Sequence, residues 1–139
     1  MKNKPRTFLD LIIIGLFKNG TGIDQAGTTM YFRNGLLHRD DGPAIERPSG
    51  NHCWYKNGKR HREDGPAFSF GKDGADFWYK NGNLHRDGGP AIEDPTGNKY
   101  WYKNGLLHRT DGPAIEDEGI VEWYKNGVQY VPDQNQENK

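Results

Sequence analysis

The sequence has almost no cysteine and no surplus of charge. Its single cysteine, Cys53, cannot form an intramolecular disulfide, which fits a reducing compartment such as the cytosol. Because 19 basic residues balance 19 acidic ones, no strong electrostatic field attracts nucleic acid or an anionic membrane. Hydrophobic residues make up only 32% of the 139 residues, and we therefore expect one domain with a thin core.

Long hydrophobic runs are also lacking. The one run of note, residues 8–17, is interrupted by Asp10 and is followed by no convincing signal-peptidase site. A run this short does not span a bilayer. Its interpretation stays open between a strand or short helix that caps the rest of the chain and a signal or membrane anchor.

What the sequence contains instead is an internal repeat. Five segments carry two aromatic residues, one basic residue and then Asn-Gly, and the five asparagines are 23, 24, 23 and 22 residues apart. In four of the segments His-Arg follows, and then a Gly-Pro-Ala turn. The fifth segment is truncated and has Tyr130 in the position of the histidine. Phe17-Lys18-Asn19-Gly20 is too close to the next copy to be counted. The Asn-Gly pairs are Asn34-Gly35, Asn57-Gly58, Asn81-Gly82, Asn104-Gly105 and Asn126-Gly127.

Each repeat predicts a β-hairpin. Asn-Gly between apolar stretches favours a type I′ turn, because both residues tolerate a positive φ. Gly-Pro ends the second strand, since proline has no amide hydrogen to give to a ladder. No helical periodicity appears after residue 20. The sequence therefore predicts an all-β fold, an elongated antiparallel sheet of tandem β-hairpin repeats with roughly ten short strands. We assign residues 1–29 to a cap or partial repeat, 30–131 to the repeat domain and 132–139 to a disordered tail.

The two-residue turn also fixes which residues face each other. In the second hairpin the expected pairs are Lys56/Lys59, Tyr55/Arg60, Trp54/His61 and Cys53/Arg62. One side of the sheet, which we name the Trp face, then carries the pairs Tyr31/His38, Trp54/His61, Trp78/His85 and Trp101/His108. The other side, the Tyr face, carries Phe32/Leu37, Tyr79/Leu84 and Tyr102/Leu107, backed by Met30, Phe77 and Tyr100 opposite Arg39, Arg86 and Arg109. We expect the Tyr face to be the core side, because it stacks aromatic residues on leucine.

These residues resemble a known family. The Tyr-x-Asn-Gly-x-x-His run and the period of 23 residues are similar to MORN-type repeats over residues 30 to 127. The similarity is greatest to variants in bacterial, phage and giant-virus proteins, in which Trp-Tyr-x-Asn-Gly and His-Arg-x-Asp-Gly-Pro-Ala recur. The resemblance implies an elongated sheet that serves as a scaffold for protein or lipid partners. A small neutral protein of this kind also looks like a phage accessory protein that blocks a host defence enzyme.

The repeated His-Arg-x-Asp set could suggest a nuclease or a metal centre. An active site needs different residues converging once, whereas four equivalent copies favour architecture, with Asp41, Asp64 and Asp111 expected to bond turn amides. Equivalent histidines should lie about 9–10 Å apart, too far to share one zinc ion. The Trp-Tyr-Lys rows have the ingredients of a platform for single-stranded nucleic acid, but recurring glutamates cancel their charge. We predict no catalytic residue, no metal and no cofactor.

The function expected from the sequence is non-enzymatic protein binding, such as inhibition of a host defence protein from within the cytoplasm. Trp, Tyr and Arg most often dominate interface energies, and the Trp face repeats Trp beside Arg and Lys in the sequence. Open sheet edges also favour a homo-oligomer. The alternatives are a lipid-binding or nucleic-acid-binding repeat protein, and an enzyme or metal-binding protein that uses the His-Arg-x-Asp set. The expected partner-binding residues are Trp54, His61, Trp78, His85, Trp101, His108 and Trp123.

Overall fold

The computed structural model describes residues 18–133, all of whose regular elements are strands. The expected capping segment at residues 8–17 and the tail after Asp133 lie outside the described residues. The strands are β1 (Gly20–Ile23), β2 (Thr29–Arg33), β3 (Leu36–Leu37), β4 (Ile45–Glu46), β5 (His52–Cys53), β6 (Tyr55–Lys56), β7 (Lys59–Arg60), β8 (Phe68–Ser69), β9 (Asp76–Phe77), β10 (Tyr79–Lys80), β11 (Asn83–Leu84), β12 (Ile92–Glu93), β13 (Lys99–Tyr100), β14 (Tyr102–Lys103), β15 (Leu106–Leu107), β16 (Ile115–Asp117), β17 (Ile120–Lys125) and β18 (Val128–Tyr130).

Most strands belong to one long antiparallel sheet. Its order is β1-β2-β4-β5-β8-β9-β12-β13-β16-β17-β18, and β3 pairs with β2 beside this path. The order follows the chain and begins and ends with strands that do not pair with each other. The predicted all-β, elongated and open sheet is confirmed.

The Asn-Gly turns have the predicted conformation. Asn57 has a φ of 50° and Gly58 a φ of 76°, and all five Asn-Gly pairs have positive φ at both residues, as a type I′ turn requires. The predicted register is confirmed for the hairpin strands, with Tyr55 opposite Arg60 and Lys56 opposite Lys59. Three of the hairpins form separate two-stranded ladders, β6-β7, β10-β11 and β14-β15.

The prediction of roughly ten strands was wrong, mainly for two reasons. The segment after each Gly-Pro-Ala turn forms a short strand of its own, β4, β8, β12 or β16, and the strand that enters the hairpin breaks at the tryptophan in the second to fourth repeats. The Trp54 N–H donates to the Ala67 carbonyl at 2.6 Å, whereas its own carbonyl accepts from the His61 N–H at 3.1 Å. The chain therefore leaves the long sheet and enters the hairpin at this residue. For the same reason Cys53 does not face Arg62 but pairs with Ile45 and Phe68.

The residues expected opposite Arg39, Arg86 and Arg109 pair with apolar residues of the long sheet instead. Met30 lies opposite Ile45, and Phe77 opposite Phe68 and Ile92. One row of paired positions therefore runs across the Tyr face of the sheet through Met30, Ile45, Cys53, Phe68, Phe77, Ile92, Tyr100 and Ile115.

The hairpins are linked to one another by backbone hydrogen bonds. The Gly58 N–H donates to the Leu37 carbonyl of the preceding hairpin at 2.8 Å, and the Arg39 N–H donates to the Tyr55 carbonyl at 3.2 Å. The same two bonds recur between the later hairpins. Each hairpin is thus supported by its neighbours, as in other repeat proteins.

The core is small and depends on alanine. The alanine of every Gly-Pro-Ala turn is fully buried at the junction between the long sheet and the hairpin, where the aromatic residue that begins the hairpin of the same repeat donates its N–H to the alanine carbonyl. These alanines are Ala44, Ala67, Ala91 and Ala114. A larger side chain there would overpack the junction.

A tyrosine in the apolar row, Tyr100, gives a testable pH dependence. The Tyr100 hydroxyl donates to Asp117 at 2.6 Å, and this bond to a carboxylate raises the pKa of Tyr100 to about 12. An unfolded tyrosine ionises near pH 10. The stabilisation is therefore fully present below about pH 10 and is lost as the pH rises to about 12.

We expect absorbance at 295 nm after a rapid pH jump to show one phenol of the folded chain ionising at about pH 12. Tyr100→Phe should remove this step, and Asp117→Asn should move it toward pH ~10. A step that persists in Tyr100→Phe would assign it to another tyrosine.

Candidate functional site

The Trp face is organised by arginines that cover the aromatic rings. In four repeats the arginine of His-Arg stacks on the aromatic ring at the strand break of its own repeat, at a distance suited to a cation–π interaction. The distances from the guanidinium carbon to the ring centre are 4.1 Å for Arg39 over Tyr31, 4.1 Å for Arg62 over Trp54, 3.9 Å for Arg86 over Trp78 and 3.9 Å for Arg109 over Trp101.

The Gly-Pro-Ala turn holds each arginine over its ring. Arg62 Nη1 donates to the Pro66 carbonyl at 3.4 Å, and a Cβ on Gly65 would lie 2.5 Å from the guanidinium carbon. A side chain at position 65 would therefore displace the guanidinium from this place, and the glycine serves to leave space, not to adopt an unusual φ. Arg62 Nε donates to Asp64 at 2.9 Å. The turn motif therefore supplies the room, one acceptor and one counter-ion for the arginine.

The sequence predicts turn amides as partners of Asp41, Asp64 and Asp111, and the structure gives each carboxylate the arginine of its own repeat as a partner. Their carboxylates accept from the arginine Nε at 3.2, 2.9 and 2.9 Å, respectively. A carboxylate forms a stronger hydrogen bond to a guanidinium than to a neutral amide. The Arg109 bond is the main reason that the pKa of Asp111 lies below its usual range.

The histidines connect one repeat to the next. In each case Nδ1 accepts the N–H of the turn asparagine in the following hairpin. The distances are 3.0 Å for His38 and Asn57, 3.1 Å for His61 and Asn81, 3.0 Å for His85 and Asn104 and 3.1 Å for His108 and Asn126.

The second ring nitrogen faces a carboxylate in three of the four repeats. Nε2 lies 2.9 Å from Asp40 in His38, 2.9 Å from Glu63 in His61 and 3.2 Å from Asp87 in His85. Bonding to the histidine is the largest cause that lowers the pKa of Asp40 and of Asp87. For His61 and His85, an amide donor on Nδ1 and a carboxylate on Nε2 define the tautomer that carries its proton on Nε2.

The expected partner-binding residues are all on the described part of the chain, in one row across the Trp face. Trp54, Trp78, Trp101 and Trp123 are half-buried, as are His61, His85 and His108. No arginine of residues 18–133 lies over the Trp123 ring, which instead meets Tyr130 edge to face, with ring centres 6.1 Å apart. Sequence reasoning missed the four arginines, although their fixed offset from the tryptophan signalled them.

Sequence reasoning also missed Asn19. Its Oδ1 accepts the N–H of Asn34 at 2.9 Å, the bond that histidine Nδ1 makes in the later repeats. The neighbouring Lys18 carbonyl accepts from the Gly35 N–H at 2.7 Å, as the Leu37 carbonyl does from Gly58. Lys18 and Asn19 thus stand in the Leu-His positions of a preceding copy, which the spacing of Asn-Gly pairs could not indicate.

Grooves lie between neighbouring arginines on this face. The Trp54 groove is about 380 Å³ and is lined by Arg39, Asp40, Asp41, Trp54, Lys56, His61, Arg62, Glu63 and Asp64. The Trp101 groove is about 530 Å³ and is lined by Arg86, Asp87, Gly88, Gly89, Pro90, Trp101, Tyr102, Lys103, His108, Arg109, Thr110 and Asp111.

No three His, Cys, Asp or Glu side chains between residues 18 and 133 come together as metal ligands. The same range has no helix with the length and hydrophobicity that a membrane crossing requires. Comparisons of the chain with family models, with curated proteins and with solved structures gave no significant match.

Proposed function

We propose that the chain is a non-enzymatic protein-binding module that presents the Trp face to its partner. The observation that carries this proposal is the row of arginine-capped aromatic rings, repeated at a constant interval across one face. Trp, Tyr and Arg are the residue types that most often dominate the binding energy of protein interfaces. A repeated row of them suits a partner that contacts several repeats at once.

The rigidity of the face supports the same proposal. Each arginine is held by its ring and by a proline carbonyl, and three of the four also by an aspartate. Side chains that are already ordered lose little conformational entropy when a partner binds. The face is therefore prepared for binding without rearrangement.

The use of the histidines favours binding over catalysis. A general base needs a free nitrogen within reach of its substrate. In each repeat Nδ1 is bonded to a backbone amide, and in three repeats Nε2 faces a carboxylate. In every copy of the repeated set, the histidine and the arginine thus make contacts that hold the fold together. The role as a phage inhibitor of a host defence protein, the cytoplasmic location and the homo-oligomer stay predictions.

Charge reversal on the Trp face tests the proposal. Lys56 and Lys80 are exposed and lie beside the Trp54 groove, the first as part of its lining and the second 4.0 Å from Glu63. We expect Lys56→Glu with Lys80→Glu to lower capture of the partner from a lysate of the source cells by about tenfold or more. The measurement is quantitative mass spectrometry of proteins that co-purify with the tagged chain.

The control is Lys72→Glu, another exposed lysine, in the turn between β8 and β9. It should leave capture unchanged, because it lies outside the row of rings. Equal loss of partner in both variants, or no loss in either, would reject the Trp face.

A further inference from the structure

Within the described part of the chain, one arginine of the Trp face has no counter-ion. Arg39, Arg62 and Arg109 each have a carboxylate within 3.2 Å, whereas among residues 18–133 no carboxylate lies within 4.0 Å of Arg86. The difference comes from Gly88, which stands where the other repeats have Asp41, Asp64 or Asp111. Arg86 keeps its ring, Trp78, and its bond to the Pro90 carbonyl at 3.1 Å.

Neighbouring acids do not compensate for the missing aspartate. The glutamates that follow two of the other turns, Glu46 and Glu116, bond to Arg39 and Arg109. Glu93, in the same position of the third repeat, pairs with Lys99 at 3.7 Å instead. The Nε edge of Arg86 is therefore a half-buried, charged donor that is open toward the Trp101 groove.

A second substitution in the same groove adds another donor. Thr110 replaces the acid that accepts from histidine Nε2 in the three earlier repeats, so within the described residues Nε2 of His108 has no acceptor. With neutral histidines, the Trp54 groove has three cations and four carboxylates. The Trp101 groove has three cations, one of them Lys103, and only two carboxylates. The charge of the groove thus changes sign between these two repeats.

We propose that the Trp101 groove binds a carboxylate from an acidic segment of a protein partner, with Arg86 as its anchor. This inference rests on the proposed protein-binding function and names the chemistry of one contact. The structure supplies the template, since an aspartate carboxylate sits 2.9 to 3.2 Å from Nε of the three equivalent arginines. The partner's Asp or Glu takes that position on Arg86, and Lys103 and the Nε2–H of His108 add further donors. Trp101, beneath Arg109, also lines the groove.

The test follows arginine Nε–H signals by nuclear magnetic resonance while hexaglutamate is added to the whole chain. We expect a saturable shift of the Arg86 signal and little change at Arg62, whose Nε already donates to Asp64. Arg86→Lys identifies the Arg86 signal. No shift at Arg86, or equal shifts at Arg62 and Arg86, would overturn the assignment.

Variants at Gly88 decide whether the missing aspartate creates the site. Gly88→Asp should place an internal carboxylate on Arg86 and weaken hexaglutamate binding about tenfold or more. Gly88→Asn has nearly the same shape and the same backbone demand at φ +79°, which both residues tolerate, and should bind like the natural chain. Equal affinities in the two variants would refute the proposal.

A parallel titration with inorganic phosphate distinguishes the source of the anion. Tighter binding of phosphate than of hexaglutamate would indicate a phosphorylated partner and reject the carboxylate. Failure at Arg86 is separable from failure of the proposed function, because Lys56 and Lys80 do not line the Trp101 groove. If hexaglutamate does not bind at Arg86 but Lys56→Glu with Lys80→Glu still lowers partner capture, the carboxylate proposal is rejected and the protein-binding function is retained.

Discussion

Replacing His38 with alanine is expected to lower the free energy of unfolding by about 2–3 kcal/mol. His38 is the most buried of the repeat histidines, with only 5% of its surface exposed. Its Nδ1 accepts the Asn57 N–H at 3.0 Å and also lies 2.9 Å from Asn57 Oδ1, and its Nε2 bonds to Asp40 at 2.9 Å. Alanine would leave a cavity and an amide of the next turn without its acceptor. Urea unfolding followed by circular dichroism gives the change.

Two further substitutions separate the lost bond from the lost ring. Asn19 shows that an asparagine side chain can accept the turn amide, since its Oδ1 bonds to the Asn34 N–H at 2.9 Å. His38→Asn should therefore recover part of the loss. His52→Ala removes a histidine whose hydrogen bond, to the Gly50 carbonyl, is exposed, and should cost less than about 1 kcal/mol. A cost for His38→Ala no larger than for His52→Ala would show that the repeats are not coupled through this bond.

The Asn-Gly turns could be predicted because their signal is local. Two residues that tolerate positive φ, placed between apolar stretches, determine the turn type and the pairing of the two strands that flank it. Tyr55 therefore faces Arg60 as predicted. The constant spacing of the turns then gives the antiparallel sheet without any knowledge of packing.

The strand break at the tryptophan could not be predicted, because its cause is distant in sequence. The N–H of Trp54 bonds to Ala67, the last residue of the Gly-Pro-Ala turn that follows the whole hairpin. Continuous alternation from Cys53 to Lys56 gives no sign of that bond, and the register was therefore extended too far. The same limit hid the role of Asn19, which depends on a neighbouring turn and not on its own Asn-Gly pair.

The candidate site was predicted in part. Alternation from the turn placed Trp54 and His61 together on one face, and their backbones do pair. The arginine over the ring was missed, because Arg62 follows His61 and alternation assigns it to the opposite side. Its side chain reaches the Trp face because Gly65 leaves room for the guanidinium. The importance of Gly88 could likewise not be predicted, because the sequence does not show that the aspartates at this position in the other repeats bond to an arginine.

A second large loss of stability, besides that of His38→Ala, is expected when a methyl group is added beneath two of the arginines. In Gly65→Ala with Gly112→Ala, the new Cβ atoms would lie 2.5 and 2.6 Å from the guanidinium carbons of Arg62 and Arg109. Each arginine must then leave its ring, its aspartate and its proline carbonyl. We expect each substitution to lower the free energy of unfolding by about 1–2 kcal/mol. The two losses should add, because the sites are in separate repeats. Urea unfolding of the double variant measures the sum.

The arginine, not the backbone, should be the origin of that loss. In a chain with Arg62→Ala and Arg109→Ala, the same two glycine substitutions should cost nothing or add stability slightly, because alanine restricts the unfolded chain more than glycine does. Gly89→Ala is the graded control: its Cβ would lie 3.0 Å from the Arg86 guanidinium carbon, and Arg86 has no aspartate to lose. Its cost should fall below that of Gly65→Ala alone. If the glycine substitutions lower the free energy of unfolding equally without the arginines, the turn needs glycine for its own backbone. The explanation that the Gly-Pro-Ala motif leaves room for the arginine would then be wrong.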